Sequence, residues 1–412
     1  MTDVRDGGAE ETAPAGPAVS GLRLLPFYVG GFLGPYGTLV VVPMLPDLRD
    51  HFGVDSATIS WGLSAYLLPM AGLMLVSGTL GERFGRFRVL RTSLAVYLVS
   101  SMLVAASPTL VLFLAARALQ GAANAFFTPL LLAGLADVTV ETRLGRRVGM
   151  YTSFQSVGGA AAPFAGGLAA EIDWRWAFWS TAAFTAVVLA SMPGDAPRRS
   201  AIVPPVRGLL SGRLVALALA SGAAAAGPLG AAVLVGFKIR DVLGLAASSA
   251  GLILAGGYAG AALLGPAFGR LLDRFGARRC GLVSLLGVAA VMAAMGPIDG
   301  RVAVTLLYGL VGSLIGFVTV VLHQAASVIL PENRGGALSL VLSLRFFGLA
   351  VGPLIWVPVL DRSVTAAFIG AGLLAVVSLG ALLVSLASTP VASGVWPARR
   401  TPSRPPPGGR AR

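Results

Sequence analysis

Cysteine, histidine and charge of either sign are scarce in this 412-residue chain: one Cys, two His, and 12% Asp, Glu, Lys and Arg together. The lone thiol, Cys280, rules out an intrachain disulfide and a cysteine metal cluster. His51 and His323 stand in no metal-spaced grouping, and the chain lacks the converging nucleophile, base or ligands that an enzyme site needs. Neither an enzyme nor a bound metal or cofactor is expected. The charged fraction is about half of the roughly 25% found in soluble domains. By contrast, 56% of the residues are hydrophobic and the mean hydropathy is +0.81. A soluble protein this apolar would have nowhere to put its surplus side chains, so a polytopic membrane protein is predicted. Residues 1–19 are polar and acidic (Asp3, Asp6, Glu10, Glu11), and with no apolar core among them no cleavable signal peptide is expected.

What the chain has instead is long apolar stretches. About 20 mostly apolar residues suffice to cross the hydrocarbon as a helix. Such stretches fall at 24–46, 59–80, 89–106, 110–132, 150–170 and 176–192, then at 214–237, 250–268, 281–295, 302–323, 337–359 and 365–386. The predicted fold class is all-α and integral to the membrane, with about twelve helices in two pseudo-symmetric six-helix bundles. Its units are a cytoplasmic N-terminal tail (1–22), a first bundle (23–193), a central cytoplasmic loop (194–213), a second bundle (214–387) and a basic cytoplasmic tail (388–412). That last tail is dense in Pro, Arg and Gly and is expected to be disordered.

The net charge is +13 and the pI near 11.1. A nucleic-acid partner would require that charge on one soluble face; here it is dispersed between apolar stretches, and no such partner is expected. With both termini in the cytoplasm, 23 of the 31 basic residues fall inside and six outside, while Arg117 and Arg345 lie within spans. Positive-inside bias therefore favours that orientation. Membrane lipid and a small-molecule substrate are the expected partners, and a monomer the expected state.

An internal repeat supports two bundles. Gly78, Glu82, Arg83, Phe84, Gly85 and Arg88 recur as Gly269, Asp273, Arg274, Phe275, Gly276 and Arg279, the two acids standing 191 positions apart. Both copies follow the second span of their half. Duplicated halves related by an axis along the membrane normal are a transporter architecture, with cargo handled between them near mid-membrane.

The first copy resembles the signature loop G-x-L-x-D-R-x-G-R-[RK] of the major facilitator superfamily, and the resemblance extends over nearly the whole chain. It implies a plasma-membrane transporter similar to the twelve-span drug:proton antiporters. Gly78 would let two helices approach closely. Glu82, Arg83, Gly85 and Arg86, with Asp273, Arg274 and Gly276 of the second copy, would then form a cytoplasmic latch that closes when the transporter opens outward. Glu82 stands where the family usually has Asp. Arg117, Gln120 and Gly121 resemble the family's R-x-x-Q-G motif. A guanidinium at membrane depth costs about 2.5–3.5 kcal/mol on insertion scales and needs a partner or a wet cavity, which makes Arg117 a candidate for handling substrate or protons. Gly158, Pro163, Gly166 and Gly167 resemble the exporter motif G-x-x-x-G-P-x-x-G-G, with Ala162 in place of one glycine; in the family this motif accompanies antiporters. Asp47 at the end of the first span and Trp174 and Trp176 entering the sixth also fit, the tryptophans as interface anchors.

None of the 18 carboxylates falls in the middle third of a span. The proton gradient is the implied energy source, so coupling would have to use a rim acid such as Glu171, a latch acid, or His323, whose imidazole titrates near neutrality. The substrate and proton pathway is expected to draw on Arg117, Gln120, Tyr36, Tyr66, Asn124, Phe126, Phe127, Gln155, Tyr258, Tyr308, His323 and Arg345. A lining so apolar and aromatic, with few hydrogen-bonding groups, suits lipophilic or amphiphilic compounds. The predicted function is export of such compounds by proton antiport through alternating access. The alternative is an uptake or exchange carrier for an organic anion or other small metabolite, using Arg117 and Arg345.

Overall fold

The computed structural model describes residues 21–139, 141–192 and 208–387. Most of the expected N-terminal tail and central loop, and the whole tail 388–412, lie outside the described residues. The first half comprises α1 (Gly21–Leu39), α2 (Leu45–Phe52), α3 (Ser56–Ile59), α4 (Trp61–Phe84), α5 (Arg86–Ala105), α6 (Leu110–Asn124), α7 (Phe127–Asp137), α8 (Glu141–Ile172) and α9 (Arg175–Ser191). The second comprises α10 (Gly212–Ala224), α11 (Ala231–Phe237), α12 (Ala247–Met295), α13 (Arg301–Ile329), α14 (Arg334–Leu360) and α15 (Val364–Leu386). The fold is all-α. A chain in lipid must satisfy its own backbone N–H and C=O groups, and a helix does this within one segment.

Among the described residues, nine helical stretches are long and apolar enough to cross a membrane. One of them, α12, is two crossings, because the chain reverses at Gly276 with φ 76°. Two more crossings escape a test of length and composition. Beyond its basic first turns α8 is rich in Gly, Ser, Thr and Gln, which lowers its hydropathy, and α9 has only 17 residues. Together these give about twelve crossings, the number that apolar run length predicts.

The repeat is visible in the backbone. Gly85 (φ 95°) and Gly276 (φ 76°) turn the chain between the second and third crossings of their halves, and Gly53 (φ 63°) and Gly244 (φ 62°) end the first crossing of each. Each pair is 191 positions apart, and glycine reaches these left-handed conformations without a Cβ penalty. Side-chain caps open other elements: Asp55 Oδ1 accepts from Thr58 N at 2.6 Å, and Ser363 Oγ from Ala366 N at 3.2 Å.

In the first half α1 packs on α8 and α9, α4 on α6, and α5 on α6 and α9; in the second, α10 packs on α14 and α15, and α12 on α13 and α15. The halves meet along two seams, α8 with α12 and α4 with α14. We call the side carrying Arg83, Arg86, Arg143, Arg274 and Arg278 the basic face, and its opposite the far face. Arg49 and Lys238, which lie just past the expected spans 24–46 and 214–237, are part of helical structure. Arg49 lies on helix α2. Lys238 is fully buried, its Nζ donating to Met295 O at 2.8 Å and Gly296 O at 2.7 Å and pairing with Asp299 at 3.2 Å. It pins the end of the seventh crossing to the end of the ninth, whose last carbonyls need donors.

Candidate functional site: the seam and cavity between the bundles

At the far face two ion pairs join the halves. Arg49 Nη1 and Nη2 donate to Asp241 Oδ2 and Oδ1 at 2.8 and 3.2 Å, and Arg240 Nη2 donates to Asp47 Oδ1. Arg49-Asp50 and Arg240-Asp241 are 191 positions apart, so this gate belongs to the repeat. Sequence reading missed it, although the repeat offset applied to the ends of the first and seventh spans would have exposed it. Alongside, Glu171 Oε1 accepts from Ser248 N in the first turn of α12 at 2.9 Å. Hydrogen bonding from Ser248 holds the Glu171 carboxyl below the usual carboxylate range. It therefore takes a proton only under more acid conditions than an ordinary glutamate, which makes it a poor proton carrier near neutrality in this state.

These pairs are partly exposed to half-buried, and pairs near the surface are worth about 0.2–1 kcal/mol each. Replacing Asp47 and Asp241 together by Asn is expected to widen the distance between spin labels on α2 and on the turn Lys238–Val242, measured by pulsed EPR, with either change alone having little effect. An unchanged distance distribution in the double variant would show that the pairs do not hold this face shut.

The glycines of the fifth span explain how closely the seams approach. A Cβ on Gly158 would collide with Phe32 O and one on Gly166 with Val40 O, both in the first crossing of the same half. A Cβ on Gly167 would collide with Ala247 O of α12, across the seam, and one on Gly251 with Pro163 O in return. The motif thus presses one face of α8 on α1 and another on the opposite bundle. Along the second seam Ser64 Oγ donates to Ala350 O at 2.6 Å and Ser343 Oγ to Ala71 O at 2.7 Å. These bonds run from mid-depth to the far face. Toward the basic face the helices part: a Cβ at Gly78, Gly145, Gly149, Gly265 or Gly269 would meet nothing within 4 Å. The protein is closed at the far face and open at the basic face.

The signature-loop residues sit at the open end and do not cross it. Arg86 donates to Glu82 one turn away and to Asp137 Oδ2 at 2.6 Å, all within the first half. Arg83 lies over the Phe84 ring at 5.3 Å and Arg274 over Phe275 at 5.2 Å, a repeated pair. Asp273 is exposed and has no ion pair among the described residues. Gly78, expected to sit in a close helix contact, faces open space in this state.

Arg117 is fully buried; Nε and Nη1 are bonded to the protein, while Nη2 has no hydrogen-bond partner among the described residues. Nε donates to Gly62 O at 3.0 Å, and Nη1 to Gly37 O at 3.1 Å and Gln120 Oε1 at 2.6 Å. Gln120 Nε2 passes the network to Ser101 Oγ at 2.8 Å. The guanidinium lies 4.2 Å from the Tyr66 ring centroid and 5.7 Å from that of Phe178, a favourable placement for a desolvated cation. One residue thus ties together five crossings of the first bundle. Most of the expected lining is also packed inward. Tyr36 is buried, bonded to Ser180 Oγ at 3.0 Å and stacked on Phe32. Tyr66, Phe127 and Asn124 are buried, the last donating to Gly34 O at 3.4 Å. Tyr308 is buried with its ring where a Cβ on Gly257 would fall. Phe126 is half-buried against the core. Gln155 is half-buried and donates to Thr128 Oγ1 at 3.2 Å. Tyr258, also half-buried, stands at the α8–α12 seam, 3.8 Å from the position of a Cβ on Gly159.

Arg345 and His323 are placed differently. Both are half-buried, and both line a small cavity inside the second bundle together with Ser221, Thr319 and apolar residues of α10, α12 and α13. Neither side chain has a hydrogen bond or ion pair among the described residues. Of the two arginines that the sequence places at membrane depth, Arg117 is bonded through Nε and Nη1, and Arg345 makes no hydrogen bond or ion pair among the described residues.

The Major Facilitator Superfamily profile matches residues 27–237 and 214–410. A puromycin resistance protein of Streptomyces alboniger is 31% identical over 198 residues, 46% of this chain and 39% of that one. A methylenomycin A resistance protein of Bacillus subtilis (strain 168) is 27% identical over 225 residues, 52% of this chain and 47% of that one. The matched part of the chain spans about a third to a half of the length of such curated relatives. A solved nucleoside transporter superposes with TM-score 0.72 at 13% identity, covering 88% of this chain and 99% of that one, a likeness of fold. Two six-helix halves, a duplicated signature loop and a family match over both halves leave one assignment: the chain belongs to the Major Facilitator Superfamily, a family of transporters rather than enzymes.

Proposed function

We propose that the protein exports small lipophilic or amphiphilic compounds from the cytoplasm by rocking its two bundles about the seams, driven by proton antiport. The observation that carries this reading is the asymmetry of the seam. The far face is shut by reciprocal ion pairs and by the exporter-type glycines of α8, while the basic face is open. Positive-inside bias makes the basic face cytoplasmic, so this state would load cargo from the cytoplasm. The same bias favours both termini inside, and the bacterial source of the relatives supports the plasma membrane of a bacterium. The named resistance function of two relatives supports the same direction. The signature-loop acids, Glu82 now paired with Arg86 of its own half and Asp273 without an ion pair among the described residues, would engage arginines across that face when it closes. His323, at membrane depth and unpartnered, is the one imidazole placed to take part in proton coupling. The protein works as a monomer in this reading.

The test is extrusion of N-phenyl-1-naphthylamine and a panel of lipophilic dyes from cells expressing the protein, with and without a protonophore. Expression is expected to raise efflux several-fold, and the protonophore to abolish the increase. Inward accumulation of organic anions with no dye efflux would overturn the reading in favour of uptake. That alternative relied on Arg117 and Arg345 together, and Arg117 is fully buried within the first bundle with Nε and Nη1 bonded there.

A further inference from the structure

Three polar side chains on three helices converge on the cavity in the second bundle, and none has a protein partner among the described residues: the Arg345 guanidinium on α14, the His323 imidazole on α13 and the Ser221 hydroxyl on α10. At 1.5 Å per residue all three lie about 9–16 Å inward from the basic-face ends of their helices, the side on which the bundles part. A fourth group, Thr319 Oγ1, is turned back to Ile315 O at 2.9 Å but keeps a free lone pair. The remaining wall is apolar, including Ala224, Leu285, Val288 and Val318, and no carboxylate lines it. An arginine held at membrane depth with no counter-charge is costly and conventionally finds a partner or a wet cavity. Arg117 shows what a largely bonded one looks like in this protein, with three hydrogen bonds from Nε and Nη1. Arg345 is its unsatisfied counterpart, and it lies near enough to Tyr258 at the seam and to His323 to interact with both electrostatically.

We propose that Arg345, His323 and Ser221 form an anion-binding subsite that takes the acidic group of the cargo: a sulfonate, carboxylate or phosphate on an otherwise apolar molecule. The inference rests on the reading that cargo passes between the bundles, and it makes acidic amphiphiles the more tightly held members of the lipophilic cargo class. A guanidinium presents a planar fork of N–H donors that matches such oxyanions, and the serine hydroxyl and an imidazole N–H add donors from the other two helices. The cavity has room for about one water. That is space for one oxygen of the acidic group in the place of a water, with the rest of the ligand outside the cavity. A free inorganic anion offers the same chemistry, and the test separates the two sources.

The experiment is equilibrium binding of two fluorophores to the full chain in phosphatidylcholine nanodiscs. 1-Anilinonaphthalene-8-sulfonate carries the acid, and N-phenyl-1-naphthylamine has the same skeleton without it. Wild type is expected to bind the sulfonate at least 30-fold more tightly than Arg345→Gln does, with Arg345→Lys in between, while the neutral probe changes less than 3-fold among the three proteins. Thermal unfolding of each variant shows whether it is folded, and the lysine variant keeps the charge should the glutamine variant prove unstable. Equal affinity for the two probes in wild type, or sulfonate binding indifferent to Arg345, overturns the proposal. So does an Arg345-dependent stabilisation by chloride over gluconate without sulfonate binding, which assigns the site to a free anion. Because binding is read without flux, cells that fail to extrude the neutral dye would defeat the export reading and leave this result standing.

Discussion

Replacing Arg117 by alanine is expected to destabilise the first bundle by about 2–4 kcal/mol and to remove transport. Two opposing terms decide the sign. The guanidinium is buried with no carboxylate near it, so deleting it recovers a desolvation cost. Against that, the change empties a large side-chain volume and strips hydrogen bonds from Gly37 O, Gly62 O and Gln120 Oε1, along with two aromatic faces. Cavity formation alone costs about 2–5 kcal/mol for large-to-small core changes, and each lost bond to a charged donor adds to it. The packing terms win because the charge is already well solvated by carbonyl dipoles. Arg117→Lys keeps a charge but has no fork to span α1, α4 and α6 at once, so it is expected to be intermediate. Thermal unfolding of the purified protein in nanodiscs checks this. Wild-type stability with transport lost would show that Arg117 acts on cargo or protons directly, and the positioning role would fail.

Gly167→Ala is expected to move the conformational equilibrium at least tenfold toward the state open at the far face, with little loss of folding stability. Gly166→Ala is expected to do the reverse, lowering stability with little shift in conformation. The two positions are adjacent and chemically identical, but they face different partners. A Cβ on Gly167 meets Ala247 O on the opposite bundle, so the bundles can relieve the clash by separating. A Cβ on Gly166 meets Val40 O in its own bundle, where only distortion or unfolding relieves it. A tenfold shift corresponds to about 1.4 kcal/mol, well within what an overpacked methyl produces. Distances between labels across the far face, measured beside thermal unfolding of both variants, give the two readouts. If both behave alike, the seam is not where the glycine motif acts.

How much could be read beforehand varies with the range of the interaction. The ends of several crossings were legible to within a few residues, since they depend on the length of apolar runs. Polar basic-face ends such as the start of α8 at Glu141 and the end of α13 at Ile329 extend past the runs 150–170 and 302–323. The expected span 59–80 is α4 (Trp61–Phe84), and 365–386 is α15 (Val364–Leu386). The single long helix α12 was legible as two crossings because Gly276 repeats Gly85. Close packing of Gly158, Gly166 and Gly167 could be inferred from their small size, though which helix each touches could not. The pathway residues were the least legible. Tyr36, Tyr66, Asn124 and Tyr308 have the right chemistry at the right depth, but a helix face cannot be assigned to core or cavity until its neighbours are in place.

The sequence by itself determined that the chain is helical, spans the membrane about twelve times and is built from two related halves. Those properties follow from the length of apolar runs and a repeat in the chain, and a helix in lipid needs no partner to satisfy its backbone. Only the tertiary structure decided that Arg117 is held and Arg345 is free. It alone decided that Asp47 meets Arg240 and Arg49 meets Asp241, and that one face is shut while the other is open. Side-chain partners at membrane depth come from helices that are distant in sequence, 55 residues for Arg117 with Gly62 and 192 for Arg49 with Asp241. What an arginine does there is therefore set by the packing of the bundles rather than by its local motif.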